Sequence, residues 1–583
     1  MFSIIVNDPR SKEAEMVDNG LIYFARKGDG ETLSDKICMR PDKANRHGFI
    51  CGATGTGKSV TLKVLAESFS QIGVPVFMSD VKGDMAGIAV PGTDSEGMQK
   101  RLDRFEIRDT FSYRGFPVSI FDIYAKNGTP LRTTVSEMGP LLFSQVLDLN
   151  DTQTELMQVI FKIADDLGLI LTDTKDMKAT LQYCADHSGD FKMDYGLIPQ
   201  QSASAIIRAI VALESEGADI FFGEPAIDIR DLFLTAPDGR GIINILDAET
   251  LINKPRLYSA FMLYLLSELF EVLPEVGDPE KPKMVFFFDE AHLLFKNASK
   301  SLLEKIEQVV KLIRSKGVSI FFVTQSPGDI PGAVMSQLGN KIEHGLHAYT
   351  PAEQKALNAA ADAFRENPEF DTKELMQNLG TGEAVVSMLD EKGAPSVAEY
   401  AFILPPESRM GAITEEERRN AVDYSPLNNK YLVMVDNVSA YEVITGRVPG
   451  AAAASGAGTV TAPDGQVYGN TSGIPAAAPE AQAAADDSIT VDYESAPQPV
   501  QQPKVKPAAK AEEDSGSRIG DLADSYLGKS GTRQVIRSTG GTIGREIGKT
   551  IGEAVLGKKG RTIGGNIGSA IGRNLLGTLT SRK

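Results

Sequence analysis

GATGTGKS, Gly52 to Ser59, is the stretch from which the rest of this chain is read. It follows HGFICG (47–52), a run that reads as a buried strand, and precedes VTLKVLAESFSQIG (60–73), which reads as a helix. The spacing G-x-x-x-x-G-K-[ST] is that of a Walker A loop. Its glycines let the backbone curl so that N–H groups point inward at phosphate oxygens, and the following helix adds its positive dipole end. On this reading Gly52, Ala53, Thr54, Gly55, Thr56, Gly57, Lys58, Ser59 and Val60 cradle the phosphates of ATP. Lys58 reaches the β- and γ-phosphates, and Ser59 is a ligand of Mg²⁺. The plainer alternative is a chance glycine-rich turn. The strand–loop–helix context weighs against it, and so does a matching second half downstream.

That second half is PKMVFFFDEAHLLF (282–295). Five apolar residues, Met284 to Phe288, run into Asp289-Glu290, as in a Walker B strand. Asp289 holds the Mg²⁺ shell, through water, and Glu290 polarises the attacking water. GVSIFFVTQSPGDIP (317–331) reads as the next strand and ends in Thr324, Gln325 and Ser326. A polar end beside the Walker strands suits a γ-phosphate sensor, with Gln325 the best placed. A capping or turn role is the simpler reading. VPVFMSDVKGD (74–84) is a further parallel strand whose polar end, Asp80, Lys82, Gly83 and Asp84, is another site candidate. Strand C-termini face the ligand crevice in open α/β sheets.

The chain has 583 residues, 42% of them hydrophobic, enough for large cores. No run of about 18 uncharged apolar residues occurs, so no transmembrane helix is expected. The N-terminus, MFSIIVNDPRSKEAE, does not read as a signal peptide. Cys38, Cys51 and Cys184 are widely spaced with no C-x-x-C, which points to a reducing cytoplasm and no structural metal site. A net charge of −18 argues against a surface that grips nucleic acid all over. It leaves room for a ring that touches DNA through a few channel loops.

Three segments follow from composition. Residues 1–445 read as one α/β domain, with a mostly helical insertion at about 130–235. Leu156, Val159, Ile160, Ile163 and Leu167 recur there at helical spacing. LIYFAR (21–26) reads as an edge strand, and too few residues precede Gly52 for an independent β-barrel. Residues 446–517, rich in Ala, Pro, Gly and Gln, read as a disordered linker. Residues 518–583 carry 12 Lys or Arg against 4 Asp or Glu. They also hold an internal repeat: GTIGREIGKTIGEAVLG (541–557) matches RTIGGNIGSAIGRNLLG (561–577) at nine of 17 positions. Stacked glycines at i, i+4 spacing resemble glycine-zipper helices that approach closely. A floppy basic tail is the simpler reading.

With these motifs in hand, the core resembles the HerA–FtsK branch of P-loop ATPases, and within it the bacterial HerA-like DUF853 family. GATGTGKS, DVKGD, MVFFFDEAH and VTQSP carry the resemblance. The segments LFSQVLDLNDTQTELMQVIFKIADDLGL (142–169), LPPESRMG (404–411) and VDNVSAYEV (435–443) narrow it. The resemblance covers about residues 5–445. It implies a RecA-like core with a central, mostly parallel sheet, Mg²⁺-dependent ATP hydrolysis and assembly into a hexameric ring. In such rings a neighbour supplies an arginine finger, for which Arg314 and Arg409 are the candidates. The missing barrel departs from HerA-type DNA translocases. The function that the resemblance implies is an ATP-driven motor acting on DNA. The alternative is an ATPase of the same fold acting on a protein partner or assembly, with the 518–583 tail joining it to that partner or to a membrane surface.

Overall fold

The computed structural model describes residues 16–446, apart from 19, 30–31 and 297–299, together with 460–461 and 467–468. All of these lie in one compact unit, Met1–Ala477. The glycine repeats and most of 446–517 lie outside the described residues. Within that stretch Val460–Thr461 and Val467–Tyr468 pair antiparallel, a short ladder that the composition did not foretell.

One sheet of thirteen strands organises the unit. In chain order these are β1 (Val17–Asp18), β2 (Leu21–Gly28), β3 (Leu33–Met39), β4 (Gly48–Cys51), β5 (Val76–Asp80), β6 (Val118–Asp122) and β7 (Thr129–Pro130), then β8 (Ile243–Asp247), β9 (Met284–Phe288), β10 (Val318–Thr324), β11 (Asn340–His344), β12 (Glu383–Ser387) and β13 (Glu399–Ile403). Their spatial order is β1-β2-β13-β12-β11-β4-β10-β9-β5-β8-β6-β7, with β3 also paired to β2. From β11 to β7 every neighbouring pair is parallel. From β11 to β12, β13 and β2 every pair is antiparallel. The segment read as an edge strand is thus part of β2, which β1, β3 and β13 flank.

The parallel strands are buried along their whole length in β4, β5, β8, β9 and β10. Continuous apolar runs are what a sheet covered on both faces requires. Alternation sends successive side chains into two cores. Phe286, Phe288, Ile320 and Phe322 enter one. Val285, Phe287, Phe321 and Val323 enter the other. Rings on neighbouring strands stack on each face, Phe287 on Phe321 at 5.1 Å and Phe288 on Phe322 at 5.6 Å. Burial of each such side chain stabilises the fold by about 1.5–3 kcal/mol. The helix Lys58–Gln71 covers the second face, where Phe69 lies 6.4 Å from Phe287 and 6.3 Å from Phe321. The helix Pro255–Val272 covers the first.

Between β7 and β8 the chain is helical, with helices at Val135–Val146, Asp151–Asp166, Thr174–Asp186, Ser188–Tyr195, Gln200–Glu214 and Ala218–Phe221. Thr134 with Glu137, Asn150 with Gln153, and Asp173 with Asp176 form capping boxes that fix three of the starts. After β13, residues 415–445 include three short helices: Glu415–Asp423, Asn428–Tyr431 and Ala440–Thr445. Among the described residues no single helix is long and apolar enough to cross a membrane.

Candidate nucleotide site

β4 lies between β10 and β11, and its end delivers the glycine loop to the C-terminal edge of the parallel strands. Gly52 has φ +149° and Gly57 φ +118°, both disfavoured for any residue with a Cβ. A Cβ on Gly52 would lie 2.5 Å from that of His344. The loop is tied to the antiparallel wing. Ala53 N–H donates to the Gly345 carbonyl at 2.9 Å, and Gly382 N–H donates to the Thr56 carbonyl at 2.8 Å. His344 braces it from below. Its Nδ1 faces the Glu383 carbonyl at 2.8 Å, so that nitrogen carries the proton, and its Nε2 accepts from the Thr61 hydroxyl at 2.8 Å. Burial pulls His344 down to about 4, which keeps the ring neutral.

Lys58 opens the helix, and the N–H groups of the first turn have no carbonyl four residues back to bond. The Lys58 side chain is buried, which lowers its ammonium below the usual range. Its Nζ donates to the carbonyls of Gly52 at 2.6 Å and Ala53 at 2.9 Å, a cation curled into its own loop. Thr54 and Gly55 are exposed at the tip. Ser59 and Val60 are half-buried behind Lys58.

Four neighbouring parallel strands, β9, β5, β8 and β6, end on an aspartate: Asp289 (just past β9), Asp80, Asp247 and Asp122. All four are buried. Three have both oxygens engaged. Asp80 accepts from the N–H groups of Lys82 at 3.3 Å and Gly83 at 2.7 Å on one oxygen, and from Ala86 at 3.1 Å on the other. Asp122 accepts from Tyr124, Lys126 and Asn127. Asp247 accepts from Glu249 N–H and from Arg418. Asp289 differs. Its Oδ1 accepts from Glu290 N–H at 2.9 Å, while its buried Oδ2 has no partner. Burial, followed by the neighbouring Glu290 charge, pushes its carboxyl up to about 7.

Glu290 sits in the left-handed region at φ +48°, a conformation that a non-glycine residue holds only under constraint. Its carboxylate accepts from Lys82 Nζ at 2.9 Å on Oε1, and from Gln325 Nε2 at 3.0 Å on Oε1 and 3.1 Å on Oε2. His292 Nδ1 lies 3.4 Å from Oε2. Burial alone would raise this carboxyl, but the Lys82 ammonium and the Gln325 amide hold it below its ordinary value. The Gln325 Oε1 accepts in turn from the Thr54 hydroxyl at 3.2 Å. The glycine loop, the Asp-Glu pair and the polar end of β10 thus form one connected cluster.

The two arginines fall elsewhere. Arg314 precedes β10, at the edge of the sheet opposite Gln325, and its Nη2 pairs with Asp278 at 3.2 Å. Arg409 pairs with Glu417 at 2.7 Å, and its carbonyl accepts from Lys63 Nζ. Neither bonds to the cluster within this chain. Lys82 and His344 do belong to the site. Lys82 was visible in the sequence only as part of a polar strand end, and His344 carried no local signal.

The residues fit a phosphate-bound Mg²⁺. Among the described residues no three His, Cys, Asp or Glu side chains group to hold a metal alone. A magnesium ion shared with phosphates needs only one or two protein oxygens and keeps several waters. The unpartnered Asp289 Oδ2 and the Ser59 hydroxyl are the donors suited to it.

A family described as helicase HerA-like C-terminal matches residues 26–511. The DNA double-strand break repair helicase HerA of Sulfolobus acidocaldarius is 20% identical over 61% of this chain and 65% of its own length. A probable helicase of Methanocaldococcus jannaschii is 22% identical over 60% of this chain and 61% of its own. The chain thus spans less than two thirds of each of these relatives. Solved structures include the bacterial conjugative coupling protein TrwB, at 16% identity and TM-score 0.44, covering 68% of this chain and 99% of that one. VirB4 of Thermoanaerobacter pseudethanolicus follows, at 18% identity and TM-score 0.41, covering 66% and 97%.

Proposed function

From the premise that this chain belongs to the helicase HerA-like C-terminal family of P-loop ATPases, we propose that it is an ATP-hydrolysing motor that works as a hexameric ring and translocates DNA. The observation that carries the hydrolytic part is the hydrogen-bonded cluster joining Glu290, Gln325 and Thr54. A binding loop needs no carboxylate held beside it, whereas a hydrolase needs one placed to take a proton from water.

In this reading Lys58 leaves the carbonyls of its own loop for the β- and γ-phosphates. Ser59 and, through water, Asp289 hold Mg²⁺, which when bound supplies charge neutralisation at those phosphates. Glu290 takes a proton from water as the water oxygen bonds to the γ-phosphorus. The bond from that phosphorus to the β–γ bridging oxygen breaks, leaving ADP and phosphate. Gln325 orients Glu290 and contacts the γ-phosphate. Arg314 or Arg409 of a neighbouring protomer completes the site, as an intersubunit finger. We place the protein in the cytoplasm, with 1–445 as the motor domain, 446–517 as linker and 518–583 as a basic attachment tail.

The net charge of −18 favours a second reading, in which the same ATPase works on a protein partner or assembly, with the tail holding that partner or a membrane surface. The deciding experiment is ATP turnover by material of known oligomeric state, with and without DNA, beside the Glu290→Gln variant. Stimulation by DNA and a roughly 10²–10⁴-fold loss in the variant are expected. Turnover unchanged over a broad DNA titration at low salt would remove the DNA reading. A stable active monomer would remove the ring.

A further inference from the structure

Lys82 lies outside the Walker loop and the Walker strand, yet it bonds to the residue on which hydrolysis would depend. Its position follows from Asp80, which draws the N–H groups of Lys82, Gly83 and Ala86 onto its carboxylate and so curls the loop after β5. The Lys82 side chain is 44% exposed, and its Nζ meets Glu290, whose side chain is only 6% exposed. The bonds then cross four strand ends in the order in which the sheet lays them. Lys82 follows β5, Glu290 follows β9, Gln325 follows β10 and Thr54 follows β4. Lys82 and Gln325 both donate to Glu290 Oε1. Oε2 keeps one donor at 3.1 Å, from Gln325, and His292 at 3.4 Å.

Lys82 reaches the Glu290 carboxylate from the β5 side of β9 and Gln325 reaches it from the β10 side, so the two donors hold it between them. Resting on the ATPase reading above, we propose that Lys82 is a positioning residue for hydrolysis: it occupies Oε1 and holds the carboxylate in place, leaving Oε2 to take the proton from water. It acts through Glu290 and not on the nucleotide. Loss of the cation should therefore slow turnover without weakening nucleotide binding.

The test uses the full chain with Lys82→Met, Lys82→Arg, Glu290→Gln and the double variant Lys82→Met/Glu290→Gln. Steady-state ATP turnover and equilibrium binding of a fluorescent ADP are measured for each. Lys82→Met should lower kcat roughly 10–100-fold, less than the roughly 10²–10⁴-fold loss expected when the base itself is removed, while KM and ADP affinity hold within about threefold. Lys82→Arg, which keeps the cation, should recover most of that loss. The double variant should be no slower than Glu290→Gln alone, because both changes remove one function. An unchanged kcat in Lys82→Met overturns the proposal. So does a raised KM at constant kcat, which would make Lys82 a phosphate ligand, and so do additive losses in the double variant. Should Lys82→Met fail to bind ADP, Lys82→Gln carries the same comparison. A wild-type protein that binds ADP but turns over no ATP would sink the ATPase reading itself, an outcome distinct from any result on Lys82.

Discussion

Asp80 and Asp289 end the neighbouring parallel strands β5 and β9, yet Asp80 spends both carboxylate oxygens on backbone N–H groups while Asp289 keeps one buried oxygen without a partner. The contrast assigns different work to the same side chain. Asp80 shapes a loop, whereas Asp289 Oδ2 is left without a donor from the protein. Asp289→Asn should abolish the Mg²⁺-dependent part of nucleotide affinity and lower kcat at least about 10²-fold. Its melting temperature should match or exceed that of the wild type, since a buried like charge is removed. Asp80→Asn puts an amide where backbone donors need an acceptor, and should cost about 1–3 kcal/mol of stability. Thermal melts and ADP titrations with and without Mg²⁺ check both. If Asp289→Asn proves the less stable of the two, the division of roles is wrong.

The glycine at the entry of the loop gives a steric prediction. Gly52 combines φ +149° with a Cβ position 2.5 Å from His344 Cβ and 2.9 Å from the Thr56 hydroxyl. His344 cannot retreat freely, because it is bonded to Glu383 and Thr61. Gly52→Ala should therefore displace the loop, weaken ADP binding more than about tenfold, and lower stability by roughly 1–3 kcal/mol. Retention of full ADP affinity would show that the loop tolerates a Cβ there.

Much of this site could be read in the sequence because its parts are local. A phosphate loop needs glycines at set positions, and a buried parallel strand needs an unbroken apolar run before its polar end. Gly52–Ser59, Met284–Glu290 and Val318–Gln325 each satisfy those needs within about ten residues. What joins them is not local. Lys82 and Glu290 are separated by 208 positions, and they meet only because β5 lies beside β9 in the sheet. Asp122 and Asp247 end strands just as Asp80 does, and only their hydrogen bonds show that they close loops. His344 looks like any residue at the end of β11 until β4 is laid next to that strand. The outer pairing of the antiparallel wing was hidden for the same reason. β2 finds its partner β13 almost at the other end of the domain. The arginines are a separate case, since a finger acts on a neighbour's site and its place within one chain does not test it. Arg314 precedes the strand that carries Gln325, but seven strand residues place it at the opposite edge of the sheet.

That opposite edge supplies a pH-dependent prediction, through His47. The residue is buried with φ +57°. Its Nδ1 accepts from Ile320 N–H at 3.0 Å, and its Nε2 faces the Val310 carbonyl at 2.9 Å and so donates to it. Only the neutral ring satisfies both bonds. Burial, aided by the nearby Arg314 charge, pulls its pKa down to about 4, below the ordinary 6.5. The unfolded chain therefore binds this proton more readily than the folded one. The contribution of His47 to stability is whole above pH 6.5 and is lost as pH falls towards 4, amounting to roughly 3 kcal/mol in all. Buried carboxyls such as Glu67 and Glu343, raised to about 7 and about 8, run the other way over part of this range. A single protein's pH curve would mix these effects. Comparison with His47→Asn separates them, since asparagine tolerates the left-handed backbone but does not titrate. Urea unfolding at pH 7, 5.5 and 4.5 should show the wild type's advantage over the variant shrinking steadily with acid. Parallel curves for the two proteins would mean that His47 takes up no proton on unfolding, and the neutral-ring assignment would fall.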